Sequence, residues 1–295
     1  MEKRLISNKS EVSFLKEHGS IEEALLELLP ISKNKLKKNL PKNFLQKKVR
    51  AKDTVELSLD VLNHGMINPM YLGPEVQVLY EDDLLLVFNK PAKIHSHPLS
   101  YLESDNLLSF VRSHFSDQLL MVNRTEYDRG LLFRLDYETS GLMCYIKQEA
   151  LYQELRYNFA KVAKKKTYLG LVKGRFTSLG LHQHGFTAIG EKGSRQKVSI
   201  DGGDFLGELA VLKSDYDDKT NTSLLTIELM TGLRHQIRAQ LSFLGFPLIG
   251  DDLYGGEKAH RLFLHAFEYA FETRTLRYDF LAELPSDFIF SSRSL

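Results

Sequence analysis

Apolar residues recur at helical spacing over residues 20 to 30, Ser-Ile-Glu-Glu-Ala-Leu-Leu-Glu-Leu-Leu-Pro. The spacing predicts a short amphipathic helix with Ser20 as N-cap, Glu23 at the capping-box position and Pro30 as its stop. A second helix starts at Ser32, carries Leu36 and Leu40 on one face, and ends at Pro41. Residues 53 to 62 alternate polar and apolar, which predicts a strand. Gly65, Pro69, Gly73 and Pro74 mark a linker. Beyond it, two apolar runs flank Asp82-Asp83, a hairpin whose second strand ends at Asn89-Lys90-Pro91 and presents Lys90 at its exit. Residues 107 to 115 and 151 to 162 have helical spacing. Residues 142 to 146, 168 to 172 and 224 to 230 are apolar runs rich in β-branched or aromatic side chains, and read as strands. Thr231 is placed to cap a helix whose opening turns carry Arg234, His235 and Arg238, with Arg234 and Arg238 on one face. Residues 176 to 208 are Gly-rich and weakly patterned, which predicts loops and edge hairpins. Residues 261 to 271 form a closing strand-rich element.

A chain of 295 residues suggests two domains and is long enough to bury a large core. The hydrophobic fraction of 43% and charged fraction of 26% are those of a soluble globular protein. Cys144 is the one cysteine, so intrachain disulfides and cysteine metal clusters are excluded. The N-terminus lacks the apolar core of a signal peptide, and no apolar run approaches a membrane span. These features predict a cytoplasmic protein that does not contact membrane. The net charge of +1 argues neither for nor against nucleic acid, so its distribution matters. From Ile31 to Lys52 there is no acidic residue, and the cations run from Lys33 to Lys52. A one-signed run on a helix-turn pattern suits phosphate contact as well as it suits a solvated face. We therefore expect a small basic RNA-binding-like module over residues 1–72 and a larger α+β domain over 73–295.

The stretch from Leu131 to Leu142 carries the most chemistry. Asp136 follows Arg134 by two residues, after apolar residues and before a Thr-Ser-Gly turn. This places a carboxylate on a loop held between buried segments, where scaffolds present functional groups. Taken alone, the pair reads equally as an ordinary turn with a surface ion pair of little energetic worth. Phe133, among Leu131, Leu132 and Leu135, reads as a packing residue. His95 and His97 have no third ligand at a useful spacing, so no metal is expected. Tyr168 by itself reads as a core aromatic with its hydroxyl satisfied. Cations early in a helix oppose its dipole, which singles out Arg234 and Arg238.

Four separated blocks together resemble the RluA-type pseudouridine synthases. They are residues 80 to 91, Arg134-Leu-Asp136 with Thr139-Ser-Gly141, the strand from Lys166 through Tyr168 to Gly174, and Thr231-Gly232 with His235-Gln-Ile-Arg238. Residues 250 to 255 and Leu264-His-Ala266 agree, so the resemblance spans residues 75 to 285. It implies an α+β fold with a mixed, mostly antiparallel sheet, flanking helices and a cleft across the sheet. It further implies that Asp136 is the catalytic aspartate, with Tyr168 and Arg238 as its active-site partners. The resemblance places Arg134 near the gap left by a flipped base, and we expect Arg234, Lys90, Lys166 and His235 to contact substrate. Residues 14 to 62 more faintly resemble the small RNA-binding module named after ribosomal protein S-four. Two positions depart from the family pattern. Phe133 stands where His is usual, and Leu233 where Arg is usual, with Arg234 one step later.

The implied reaction cuts the bond from ribose C1′ to uracil N1, turns the base and joins C1′ to C5. It involves neither redox chemistry nor hydrolysis, so no cofactor and no metal is required. The implied partner is RNA, large-subunit ribosomal RNA first and transfer RNA second, bound by a monomer. Two other readings compete. Phe133 favours an RNA-binding protein that kept the fold without activity. A hydrolytic glycosidase would want two opposed carboxylates, and only Asp136 stands out.

Overall fold

The structure, a computed structural model, describes residues 8–158, 162–272 and 276–288. The first seven residues and residues 159–161 lie outside the described residues. These carry the start of the N-terminus read above for a signal peptide and part of the helix expected over 151–162. The chain divides into two compact units, residues 1–73 with 97–116, and residues 74–96 with 117–295. The first break falls one residue from the expected boundary, but residues 97–116 join the N-terminal unit.

That N-terminal unit pairs β1 (Lys9–Ser13) antiparallel with β2 (Thr54–Ser58). Between them lie α1 (Ile21–Leu28), α2 (Lys33–Asn39) and α3 (Lys42–Leu45), and α4 (Leu59–Leu62) follows β2. Ser20 caps α1 by accepting the Glu23 N–H at 3.1 Å, while Glu23 reaches back to the Gly19 N–H at 2.8 Å. The strand expected to Leu62 stops at Ser58, whose hydroxyl accepts the Val61 N–H and turns the chain into α4. Phe14, Leu25, Leu36, Leu45 and Leu57 form the core. Helix α5 (Leu107–His114) belongs to this unit, with the Arg112 guanidinium on the Ile67 carbonyl and Phe110 edge-on to Tyr71. Lys33 and Lys37 pair with Glu22, but Lys38, Lys42, Lys48, Arg50 and Lys52 stand exposed.

The larger unit is built, among the described residues, on a ten-stranded sheet. Its strands are β3 (Gln77–Glu81), β4 (Leu85–Lys90), β5 (Ser140–Ile146), β6 (Ala163–Lys173) and β7 (Gly180–Ile189), then β8 (Arg195–Ser199), β9 (Phe205–Asp217), β10 (Thr222–Leu229), β11 (Leu264–Glu272) and β12 (Arg277–Leu281). They lie in the order β3-β4-β5-β11-β6-β10-β9-β7-β8, with β12 also on β11. Among the described residues only β5 and β11 run parallel. The fold is therefore α+β with a mixed, mostly antiparallel sheet. The β3–β4 hairpin forms as expected, because Asp82 Oδ1 accepts the N–H groups of Leu84 and Leu85 at the turn. Helix α6 (Glu149–Tyr157) buries Leu151, Tyr152 and Leu155.

Residues 176 to 208 form an edge hairpin as expected, β7 with β8 at one end of the sheet order, but are strands where their glycines also suggested loops. They hold β7, β8 and the start of β9. Gly185 faces Ser199 on one side and Leu206 on the other, and an added Cβ would sit 1.4 Å from the Gly202 carbonyl. A close backbone approach explains this glycine and conceals the strand alternation around it.

Gly141 sits in the parallel seam. Its φ is +116°, and a Cβ there would lie 2.2 Å from the Ala266 carbonyl oxygen. Both the backbone conformation and the space exclude a side chain. Gly141→Ala should lower unfolding stability by at least about 2 kcal/mol, read from urea midpoints. A variant as stable as the parent would show that the seam can open to admit a methyl group.

Candidate active site

Asp136 lies on the loop that feeds β5, and that loop is pinned on both sides of it. The Leu132 N–H donates to the Cys144 carbonyl, joining the loop to the strand that follows it. The Ser96 hydroxyl donates to the Leu135 carbonyl at 2.9 Å and accepts the Leu135 N–H at 3.2 Å. The Tyr137 carbonyl accepts from the Lys93 N–H at 2.8 Å, and the Thr139 N–H closes a turn on the Asp136 carbonyl. The backbone is thus fixed while the Asp136 side chain stays 27% exposed.

Arg238 reaches this carboxylate from helix α7 (Gln236–Phe243). Its Nη1 donates to Asp136 Oδ2 at 3.1 Å, and its Nε and Nη2 grip Asp251 side-on at 2.8 Å each. The Asp251 side chain is fully buried, and Oδ1 also accepts the N–H groups of Leu253 and Tyr254. Burial works against the Arg238 charge. The paired bonds from Asp251 and the charges of both carboxylates outweigh it and hold the guanidinium above its ordinary pKa. Two carboxylates share one guanidinium, so one negative charge is left over beside the accessible carboxylate. In the sequence Asp251 stands out only as part of the agreeing block over residues 250 to 255. Its signal is the pair Gly250-Asp251, buried polar chemistry that periodicity does not reveal.

The helix itself starts later than expected. Thr231 does not cap it; the Thr231 hydroxyl and the Leu233 N–H both donate to Gln236 Oε1, winding residues 231–235 into a tight loop. His235 occupies the N-cap position with φ +54°. Arg234 therefore lies outside the helix and does not share a face with Arg238. It is exposed, and its Nη1 donates to the Gly193 carbonyl.

Tyr168, on β6, is 6% exposed, and its hydroxyl meets that of Tyr269 at 2.7 Å. A bulge at Phe267 creates this pair. Ala266 opposes Tyr168, but Tyr269 opposes Lys166, so the extra residue turns Tyr269 onto the face of Tyr168. Burial pushes Tyr168 up to about 12, with Asp136 adding to the rise and Tyr269 opposing it. Phe133 stacks on Tyr269 at 4.4 Å with the planes 11° apart, so this ring packs as its neighbours suggested, though only half-buried. No sequence pattern singles out Tyr269.

The remaining candidates divide. Arg134 is exposed and makes no ion pair with Asp136; Arg238 takes that place. The His235 side chain is 9% exposed, and its Nε2 lies 3.8 Å from Asp136 Oδ2. Lys90 is not presented at a strand exit. It is fully buried, and its Nζ donates to the carbonyls of Pro91 and Ile94 at 2.9 Å and of Tyr137 at 3.5 Å. The chain bends over Lys90 after Pro91, so those carbonyls enclose the ammonium. Lys166 is also buried, with its Nζ on the Met230 carbonyl. Among the described residues no three His, Cys, Asp or Glu side chains form a metal-binding group. No helix among them is long and apolar enough to cross a membrane.

Known proteins resemble the chain in sequence and in fold. Residues 84–243 match the family model described as RNA pseudouridylate synthase. The chain is 29% identical over 224 residues to the ribosomal large subunit pseudouridine synthase D of Borreliella burgdorferi, covering 72% of this chain and 67% of that protein. It is 31% identical over 221 residues to the uncharacterized RNA pseudouridine synthase YhcT of Bacillus subtilis, covering 74% and 70%. The solved structure of human RNA Pseudouridylate Synthase Domain Containing 1 shares the fold, with a TM-score of 0.56 at 23% identity over 73% of this chain and 87% of that one.

Burial pushes Lys90 from 10.5 down to about 7, opposed by Asp136 and Glu138. Between those values the unfolded chain binds more protons than the folded one, so this group makes stability rise with pH across that window. The stability of the parent minus that of Lys90→Met should therefore increase from pH 7 towards pH 10, measured by urea unfolding at each pH. A difference that stays flat would show that the ammonium keeps its ordinary proton affinity in the fold.

Proposed function

The chain belongs to the RNA pseudouridylate synthase family and is an RNA pseudouridine synthase, and from that premise we propose that it isomerises uridine in large-subunit ribosomal RNA with Asp136 as its catalytic carboxylate. The ribosomal target rests on the name of the Borreliella relative. We further propose that it acts as a cytoplasmic monomer.

One observation carries the assignment of Asp136. Arg238 and His235 both approach Oδ2, and among the described residues Oδ1 has no partner. The carboxylate is oriented by one oxygen and free to react through the other. The target atoms are shielded in stacked RNA, so the nucleotide must first be everted, at a cost of a few kcal/mol. Asp136 then attacks C1′ as a nucleophile or takes a proton from the sugar; both routes need it ionised. Arg238 maintains that charge and its direction. The C1′–N1 bond breaks, C1′ joins C5, the C5 proton leaves and N1 gains one, so no atoms are lost overall. Tyr168 is assigned to the base, its ring against uracil and its hydroxyl towards C5. Arg134 is exposed, as a side chain filling the gap of an everted base must be. Lys90 and Lys166 are assigned to holding the loops from within and not to touching RNA.

Asp136→Asn keeps the shape and removes the charge. It should bind ribosomal RNA like the parent and release no tritium from C5-tritiated uridine in that RNA. Turnover near the parent rate would sink the assignment. Pseudouridine mapping of total RNA with and without the gene tests the target, and loss of a site only in transfer RNA would replace it.

The exposed cations from Lys38 to Lys52 suit phosphate contact by the N-terminal unit. If they meet phosphates, charge-neutralising Lys38, Lys42, Lys48 and Arg50 to Gln should flatten the slope of log affinity against log salt. The slope should change by roughly 0.7–0.9 for each phosphate that is no longer neutralised. Equal slopes for parent and variant would make this surface a solvated face only.

A further inference from the structure

Tyr254 joins the β7–β8 hairpin to the catalytic carboxylate through one histidine. The Gln196 N–H donates to Tyr254 Oη at 2.9 Å, and His235 Nδ1 lies 3.1 Å from the same oxygen. Two guanidiniums lie over the phenol ring, Arg195 at 5.7 Å and Arg238 at 5.5 Å from its centroid. Arg195 is itself bonded to the Leu253 carbonyl. On the other side of the imidazole, Nε2 faces Asp136 Oδ2 at 3.8 Å.

Counting protons at Tyr254 Oη orients the histidine. The Gln196 amide can only donate, which leaves the phenol proton to be given, and His235 Nδ1 is the acceptor within reach of it among the described residues. An imidazole that accepts at Nδ1 carries its own proton at Nε2, towards the carboxylate. The opposite tautomer would set a lone pair against Asp136. Burial favours the neutral ring, with Asp136 opposing, so the tautomer matters at neutral pH.

We propose that Tyr254 is a positioning residue that holds His235 as the Nε2–H tautomer, so that a second N–H besides that of Arg238 faces Asp136 Oδ2. This rests on the reading of Asp136 as the catalytic carboxylate. The 3.8 Å separation is longer than a hydrogen bond, and such contacts tighten when substrate binds. A neutral donor steadies the carboxylate without adding a second cation that would blunt its reactivity.

The test combines kinetics with a spectroscopic readout. Ribosomal RNA labelled with C5-tritiated uridine, from cells lacking the gene, is the substrate. Tyr254→Phe keeps the ring beneath both arginines and should lower kcat about three- to tenfold with little change in KM. In a His235→Gln background, which retains an N–H at the Nε2 position and has no ring nitrogen, the same change should cost little more. His235→Gln should also outperform His235→Asn, although Asn takes the φ of +54° more readily and a purely structural role would favour it. Nitrogen-15 spectra of histidine-labelled protein, with the His235 signals assigned by their loss in His235→Gln, should show protonation at Nε2. Tyr254→Phe should shift this towards a tautomer mixture. Protonation at Nδ1, equal losses from Tyr254→Phe in both backgrounds, or Asn outperforming Gln would each overturn the proposal. If the parent releases no tritium, the ribosomal target fails, and the nitrogen spectra still decide the tautomer.

Discussion

A guanidinium as buried as that of Arg238 is tolerable only with its charge matched. The side chain is 8% exposed, and its donors are divided between Asp251, gripped side-on, and Asp136, touched end-on. Leaving a buried charge without its partner is among the larger penalties a fold can carry. That requirement ties three segments together: the loop before β5, helix α7 and the turn at Asp251. None could move far without stranding a charge. The geometry of the Asp136 carboxylate is a consequence of this ionic bridge as much as of its own loop.

The sheet sets the distances over which that bridge works. β5 and β11 run parallel with Gly141 pressed on Ala266, which brings the Asp136 loop beside β11. The bulge at Phe267 then turns Tyr269 onto the face of Tyr168. Phe133 covers Tyr269 with a stacked ring. This apolar contact sits where the family usually has a histidine, and it seals one side of the hydroxyl pair. The proposed active-site groups thus come from a loop, two strands and a helix, brought together by strand pairing and by the side chains of Ser96 and Asp251 and not by local preference.

Elements with strong local rules were readable from the chain. Ser20 and Ser32 cap helices, Pro30 and Pro41 stop them, and Asp82 makes its turn, because each acts on neighbours within four residues. Strands β5, β6 and β10 were readable because they are buried and apolar along most of their length. Residues 176 to 208 were readable only as far as an edge hairpin, because Gly185 serves a close approach by Gly202 that appears only when the strands pair. The start of α7 was hidden because Gln236, five residues after Thr231, competes for its hydroxyl.

Charge patterning was the poorest guide to role. Lys90 and Lys166 look like surface cations, yet their Nζ groups meet carbonyls, and the partner of Lys166 is 64 residues away. The sequence by itself determined which residues are chemically capable: a carboxylate after a buried run, a late pair of cations, and an ordered set of blocks specific to one family. The family blocks already paired Asp136 with Arg238; tertiary structure alone decided that Asp251 completes the bridge, and that Tyr254 and Tyr269 stand behind His235 and Tyr168. The physical reason is range. Caps and turns act over a few residues of chain, while desolvated charges and buried hydroxyls take whatever partner the packed fold brings within about 3 Å.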